Sequence, residues 1–188
     1  MKLTYLKAIG TPIISEQAEE PVALLKDVII NPETGTVLAL GIFLSKKIIP
    51  AIDIREWTAE SICIADENAI TDREDLIKLS KFNPKSTHIF GHEVYKEDGK
   101  FIGFVEDFVF DTEVGQLTEI YAVKKFLFIS LEKRIFSFKD IVKIEGTKII
   151  VKNDTKEEKD LIKEFLNLRG KIKTPVRTGC PAHCESKD

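Results

Sequence analysis

The most constraining feature of the sequence is a strand pattern bounded by two glycine turns within residues 99–117. Gly99 and Gly115 supply the positive φ angles that short hairpin turns require. Asp107 lies inside the strand, and Asp111 at its end can accept hydrogen bonds from its own backbone and start the turn. The segment therefore predicts a β-strand that runs from one hairpin turn to the next.

The same pattern occurs earlier in the chain, in residues 22–37. The matched positions are Asp27 with Asp107, Asn31 with Asp111, and Gly35 with Gly115. Gly99 and Gly103 have no glycine counterparts in the first copy, where residues 19–21 occupy the turn. A pattern repeated in this way predicts two copies of one structural unit.

Aromatic side chains crowd the second copy of this strand. Ile102, Phe104, Phe108 and Phe110 place apolar groups on both of its faces. Twelve Phe against one Trp and three Tyr in the whole chain also favour a dry core. We expect Phe104, Phe108 or Phe110, together with Ile120, to be among the most buried side chains of the second unit.

Short apolar runs separated by turn residues, with no helix-period segment between them, are typical of antiparallel sheets closed or rolled on themselves. We therefore predict a mainly β fold. It consists of two small antiparallel β-barrels, spanning residues 1–68 and 86–153, joined by a short helix.

Helical spacing occurs in two places. In the linker, residues 69–85, Thr71 and Glu74 fit a capping box and an apolar stripe follows, which predicts a short helix packed between the barrels. Residues 154–170 carry an amphipathic pattern that ends at a glycine, which predicts a C-terminal helix. Residues 171–188 contain prolines and few apolar side chains, which predicts a flexible tail.

The motifs of the second unit resemble those of the PRC-barrel domain. Gly-x-x-x-Gly-x-Val-x-Asp runs from Gly99 to Asp107, Asp-x-x-x-Gly from Asp111 to Gly115, and Asp-Ile-Val-x-Ile begins at Asp140. That family is named after the cytoplasmic domain of the photosynthetic reaction-centre H subunit. It also includes the C-terminal half of a ribosome-maturation factor that acts on the small subunit. The resemblance extends to both units and implies a tandem PRC-barrel protein.

This resemblance implies small β-barrels that bind protein partners, and it supplies no catalytic residues. We therefore expect a non-enzymatic interaction or adaptor module without a cofactor, whose protein partner and oligomeric state stay open. The alternative is an accessory factor of ribosome or RNA maturation that binds a ribosomal protein through its barrel. An enzyme would need a nucleophile with its base or a phosphate-binding loop, and the sequence shows neither pattern.

Charge and hydropathy further limit which classes of protein the sequence fits. The net charge of −3 gives no general argument for nucleic-acid binding by the body of the protein. No stretch approaches the ~20 apolar residues that a membrane-spanning helix needs. The polar start of the chain does not match a signal peptide, so we expect a cytoplasmic protein.

Several acidic residues invite a chemical interpretation. Asp27 and Asp107 could suggest acid/base catalysis, but such chemistry needs a second group in the same cleft. Their repetition favours structural carboxylates that bond the backbone or a neighbouring strand. Asp111 with Glu113 resembles a fragment of a cation loop, yet the ligand ladder of a calcium site is missing.

Other polar and aromatic residues fit structural roles. His88 and His92 lie four residues apart, but Gly91 and the β context argue against a metal-binding helical face, so we interpret both as surface histidines. Cys63 stands between two isoleucines and is interpreted as a small buried hydrophobe. Trp57 either caps the core of the first barrel or lies partly exposed at an interface.

The tail contains the one cluster of side chains whose chemistry suits metal binding. Cys180, His183 and Cys184 are zinc-type ligands within five residues, and a closed site would need a fourth ligand from elsewhere or from a second chain. Free thiols and an intermolecular disulfide are the alternatives. Residues 169–188 carry five basic and two acidic side chains, so an acidic surface or nucleic acid is a possible partner for the tail but not for the body.

Overall fold

The computed structural model describes residues 1–17, 20–75, 81–126 and 129–153, and these residues form mostly β-strands. The strands are β1 (Lys2–Thr4), β2 (Pro12–Ser15), β3 (Pro21–Ile30), β4 (Val37–Ile42), β5 (Ile48–Pro50), β6 (Ile54–Trp57), β7 (Ile62–Ile64), β8 (Glu93–Lys96), β9 (Phe101–Asp111), β10 (Gln116–Phe126), β11 (Ile129–Ser137), β12 (Ile141–Glu145) and β13 (Lys148–Val151). The helix α1 (Tyr5–Ala8) and the 3-10 turns are short; the turns are Ala51–Asp53, Glu67–Ala69, Arg73–Asp75, Pro84–Thr87 and Phe138–Asp140. The predicted mainly β class is confirmed.

The first sheet contains β2 to β7, which we call the first unit. Its strand order is β5-β4-β3-β2-β7-β6. Neighbouring strands are antiparallel except β2 and β7, which are parallel with Ile13 opposite Ile62. Among the described strands β6 pairs only with β7, so β6 is an edge strand of this sheet.

The second sheet contains β8 to β13, which we call the second unit. Its order, β11-β10-β9-β8-β13-β12, repeats that of the first sheet strand for strand. Its parallel pair is β8 with β13, where Val94 lies opposite Ile149. Strand β1 also joins this sheet, antiparallel to β9 with Leu3 opposite Phe110. The start of the chain therefore lies on the second sheet, although it precedes the first unit in sequence.

Neither sheet closes into a barrel. The end strands β5 and β6, and likewise β11 and β12, each pair with one neighbour within the described ranges, so the prediction of two barrels joined by a helix is not confirmed. Each sheet instead buries apolar surface against the rest of the molecule. Trp57 of the first unit packs on Phe110 of the second with ring centroids 4.8 Å apart. Because another element covers these faces, closure is not needed to bury them.

The described start of the linker pairs with the first sheet. Thr71 exchanges two backbone hydrogen bonds with Ile48, each of 2.9 Å, so the linker enters along the first sheet. A single 3-10 turn follows at Arg73–Asp75. Residues 76–80, where the predicted helix would continue, lie outside the described residues.

The two hairpin turns of the repeat pair directly with each other. The Val37 N–H donates to the Gly115 carbonyl at 2.8 Å, and the Leu117 N–H donates to the Gly35 carbonyl at 2.8 Å. Val37 lies two residues after Gly35 and donates to Gly115. Leu117 lies two residues after Gly115 and donates to Gly35. This reciprocity is the pattern of an approximate twofold axis between the turns.

A β-bulge occurs at the same place in both units. Leu25 lies opposite Ile42 and Asp27 opposite Gly41, which leaves Lys26 as an extra residue in β3. In β9, Val105 and Asp107 face consecutive residues of β10, which leaves Glu106 as the extra residue. An extra residue exchanges the two faces of a strand at that point.

The bulge explains which aromatic residues of β9 are buried. Phe108 and Phe110, after the bulge, and Ile120 opposite Phe108 are fully buried as expected. Phe104, before the bulge, has the same spacing in sequence but is 42% exposed. A uniform alternation would have buried Phe104 as well, so sequence spacing alone misplaced it.

One hydrophobic cluster runs through both units. It joins Leu25, Val28 and Leu40 of the first unit to Phe108 and Ile120 of the second. The C-terminal helix predicted over residues 154–170 and the tail predicted over residues 171–188 lie outside the described residues.

Candidate functional site

The repeated carboxylates Asp27 and Asp107 stand beside the two bulges. Asp27 Oδ1 accepts the Val28 N–H at 2.8 Å, and Asp107 Oδ1 accepts the Phe108 N–H at 2.9 Å. A bulge interrupts the backbone hydrogen bonds between two strands. The aspartate side chain therefore accepts from a backbone N–H group beside the bulge. This geometry gives both carboxylates a structural role.

Each carboxylate also contacts a segment that precedes the other unit. Asp107 Oδ1 accepts the N–H of Leu6, which belongs to α1, at 3.1 Å. Asp27 Oδ2 contacts Nδ1 of His88, which directly precedes the second sheet. The two contacts cross the junction between the first and second units in opposite directions. The repeated aspartates therefore join the two units.

Tyr5 lies buried between these carboxylates. Its ring stacks on Phe108 with centroids 4.6 Å apart and on Phe90 at 5.2 Å. Burial, then the charge of Asp27 and a hydrogen bond to it, and then the charge of Asp107 raise the pKa of the Tyr5 phenol. The phenol therefore stays protonated and acts as a donor at the junction.

His88 is held on both ring nitrogens. Its Nε2 lies 3.1 Å from Nη1 of Arg73, and Nη2 of Arg73 donates to Thr87 Oγ1 at 3.2 Å. Arginine has no acceptor, so Nε2 accepts and Nδ1 carries the proton toward Asp27. An open cavity of about 380 Å³ lies beside this group. With both nitrogens engaged, the ring has no free lone pair for general-base catalysis.

His92 is buried, contrary to its interpretation as a surface residue. It is 4% exposed, and its Nε2 lies 2.9 Å from the Lys85 carbonyl, to which it must donate. Nδ1 has no hydrogen-bond partner in the described structure. Burial lowers the pKa of His92, outweighing the Lys85 carbonyl, which raises it; nearby His88 lowers it further. The segment around the Pro84–Thr87 turn covers the ring, a tertiary contact that the sequence does not display.

The side chains of the turn residues Asn31 and Asp111 accept hydrogen bonds from the backbone. Asn31 Oδ1 accepts the Glu33 N–H at 2.9 Å, and Asp111 Oδ1 accepts the Glu113 N–H at 3.0 Å. Asp111 and Glu113 also each lie 3.1 Å from the N-terminal ammonium of Met1. That ammonium lowers the pKa of Asp111. No cluster of three metal-ligating side chains occurs within the described ranges.

The repeat glycines meet different needs. A Cβ on Gly103 would lie 2.4 Å from the Val123 carbonyl oxygen, so only glycine fits where β9 and β10 approach. Gly35, Gly99 and Gly115 have φ angles of +73°, +84° and +62°, as hairpin turns require.

The remaining candidates take structural places. Cys63 is half-buried in β7 with a free thiol. Trp57 is buried at the contact with Phe110, so it belongs to the junction between the units. The zinc-type ligands Cys180, His183 and Cys184 lie outside the described residues.

An open groove lies at the junction, and we call it the junction groove. Its volume is about 680 Å³, within the range of ligand-binding clefts. One wall is the edge strand β6 with Ala51 and Ile52, and the other is the turn of residues 112–115. Ile52 and Val114 are exposed by 89% and 68%. Large apolar side chains this exposed on a concave surface are typical of interaction sites.

Sequence reasoning missed this groove and the Tyr5 and His88 contacts. The repeat pattern locates the turns but does not show that they pair with each other. One signal was present: the offset between the copies rises from 80 residues at Gly35 to 87 at Ala51, because the second copy has a longer hairpin. Ala51 is thereby matched with Phe138, a large change of size within the repeat.

Comparison with known proteins gives one family match. Residues 85–158 match the model of the PRC-barrel domain. This range contains the second unit, in agreement with the motif resemblance. No curated protein matches the chain. No helix among the described residues is long and apolar enough to cross a membrane.

Proposed function

Since residues 85–158 belong to the PRC-barrel family, we propose that this protein is a non-enzymatic protein-interaction module. The family match supports the role of a small binding domain. The partner is a protein, and the body of the molecule uses no cofactor.

The first unit is a second PRC-barrel-like copy in this proposal. Its support is the same strand order, the same parallel pair and the same bulge with its aspartate. Unrelated sheets would have no reason to share all three features. The two copies together form one adaptor rather than two independent binding domains, because their turns and cores are joined.

The single observation that carries the proposal is the junction groove. It combines the edge strand β6, which pairs only with β7 among the described strands, with exposed apolar side chains at both rims. A free edge offers backbone donors and acceptors to a partner, and apolar rims contribute burial.

The chemistry of the polar cluster supports a role other than catalysis. Tyr5 is protonated, and both nitrogens of His88 are engaged. Asp27 and Asp107 are occupied by backbone donors. These residues stabilise the junction and leave no activated nucleophile among themselves.

Affinity capture from the native cell tests the proposal. The full-length chain serves as bait beside two groove variants, Ile52→Glu and Val114→Glu. The control is Val142→Glu, on the edge strand β12 of the other sheet, where Val142 is 50% exposed. All three add one charge at an exposed position, so a difference in capture reports the groove.

We expect a partner that the wild type and Val142→Glu retain and that both groove variants lose. Recovery of a ribosomal protein in this pattern would favour the maturation-factor alternative. Capture that none of the variants changes would contradict a groove-based role, and the absence of any partner after cross-linking would overturn the proposed function.

A further inference from the structure

The approximate twofold relation predicts a second groove beside Gly35, but that position is filled. The Phe138 ring occupies it: a Cβ on Gly35 would lie 2.7 Å from Phe138 Cζ and 2.8 Å from Gln116 Nε2. Gln116 also donates to the Thr34 carbonyl at 2.6 Å. The protein therefore contains its own example of an aromatic side chain seated against a repeat glycine.

The junction groove is the matching position, and none of the described residues fills it. A Cβ on Gly115 would meet no atom within 4 Å. Ala51 begins the 3-10 turn before β6, as Phe138 begins the turn before β12. Thr36 holds the place of Gln116. Both residues that close the Gly35 side are replaced by smaller ones on the Gly115 side, and this difference creates the groove.

We propose that the junction groove receives an aromatic side chain from an extended peptide segment of a partner protein. The ring takes the place at Gly115 that Phe138 takes at Gly35. This inference deepens the proposed function and rests on it. It states which part of the partner enters and what the groove recognises.

The edge strand explains why the peptide is extended. β6 pairs only with β7 among the described strands, so its outer backbone groups can accept a further strand. Trp57 also lines the groove.

The charged residues of the groove indicate which charged residues the peptide carries. Glu113 at the rim is already paired with the N-terminal ammonium. Arg55 and Glu56, both exposed on β6, make no ion pair within the described structure. The fitting segment therefore carries an acidic residue near its aromatic residue to meet Arg55, and a basic residue beyond it to meet Glu56.

A nuclear magnetic resonance titration tests the ring position directly. The probe is N-acetyl-phenylalanine N-methylamide, added to the ¹⁵N-labelled full-length chain, and the matched control probe is N-acetyl-alanine N-methylamide. We expect saturable shifts of the Gly115, Ala51 and Trp57 amides with the phenylalanine probe only. A fragment of this size binds roughly in the millimolar range.

Two variants make the result specific. Ala51→Phe should fill the groove as Phe138 fills the position beside Gly35. It should lower the affinity of the probe by about tenfold or more. Phe138→Ala should open the second groove and add probe-dependent shifts at Gly35. If Ala51→Phe does not fold, Thr36→Gln narrows the groove from the surface and should weaken the probe in the same direction.

Outcomes separate this inference from the proposed function. Unchanged probe affinity in every folded filling variant, or no saturable shift at Gly115, overturns the inference. If the cellular partner is still captured equally by wild type and Ala51→Phe, the interaction role stands and only the ring position is wrong. If the probe binds at Gly115 but no partner is captured, the proposed function fails instead.

Discussion

At the scale of single residues, position relative to the bulge decides what an aromatic side chain does. Phe104 and Phe108 lie four residues apart on the same strand, yet one is exposed and the other is buried. The extra residue Glu106 between them exchanges the faces of β9. Their contributions to stability should differ accordingly.

Phe108→Ala should lower the free energy of unfolding by about 3–5 kcal/mol, because it removes a fully buried ring and leaves a cavity. Phe104→Ala is the matched control, with the same chemical change on an exposed side chain, and should cost about 1 kcal/mol or less. Urea denaturation of both variants measures the difference. Equal losses would contradict the placement of the bulge.

His92 should make stability depend on pH. Burial lowers its pKa in the folded protein from the ordinary value of 6.5, so below that value the unfolded chain binds more protons. Stability is therefore complete above pH 6.5 and falls as the pH decreases toward the folded-state pKa. His92→Gln keeps a donor for the Lys85 carbonyl and should show a flatter profile between pH 7 and pH 5. Identical profiles for the two proteins would contradict the buried, neutral ring.

At the scale of elements, the sequence predicted the strands and turns better than their partners. The glycine turns, the Asn31 or Asp111 side chain that starts each turn, and the central hairpins follow from local rules of turn chemistry. The pairing of the two turns with each other does not, since each bond joins residues about 80 positions apart. The Thr71–Ile48 bridge shows the same limit, because it joins residues 23 positions apart.

Hydrogen exchange should detect the paired turns. The amides of Val37 and Leu117 donate across the junction, so they should exchange as slowly as amides in the centres of β3 and β9. The exposed turn around Leu44 provides the fast reference. Fast exchange at Val37 and Leu117 together would indicate that the units separate in solution.

At the scale of the whole molecule, two similar units share one core, and they differ in the side chains beside their turn glycines. The family resemblance could be predicted from the motifs of the second unit, and residues 85–158 match the family. The open groove could not be predicted, because it depends on Phe138 and Ala51 facing opposite sides of the junction. The repeat thus explains the shared strand order, and the difference between Phe138 and Ala51 explains the groove at which we propose binding.

Site-specific photo-cross-linking tests the central claim, that this groove is where a partner protein binds. A benzophenone amino acid replaces Ile52 at the groove rim or, as the control, Val142 on the corresponding edge strand of the second sheet; both positions are exposed, so neither change disturbs the core. After irradiation of the full-length chain in native cells, we expect a discrete partner adduct at position 52 and none at position 142. Equal adducts at both positions, or an adduct at position 142 alone, would contradict it.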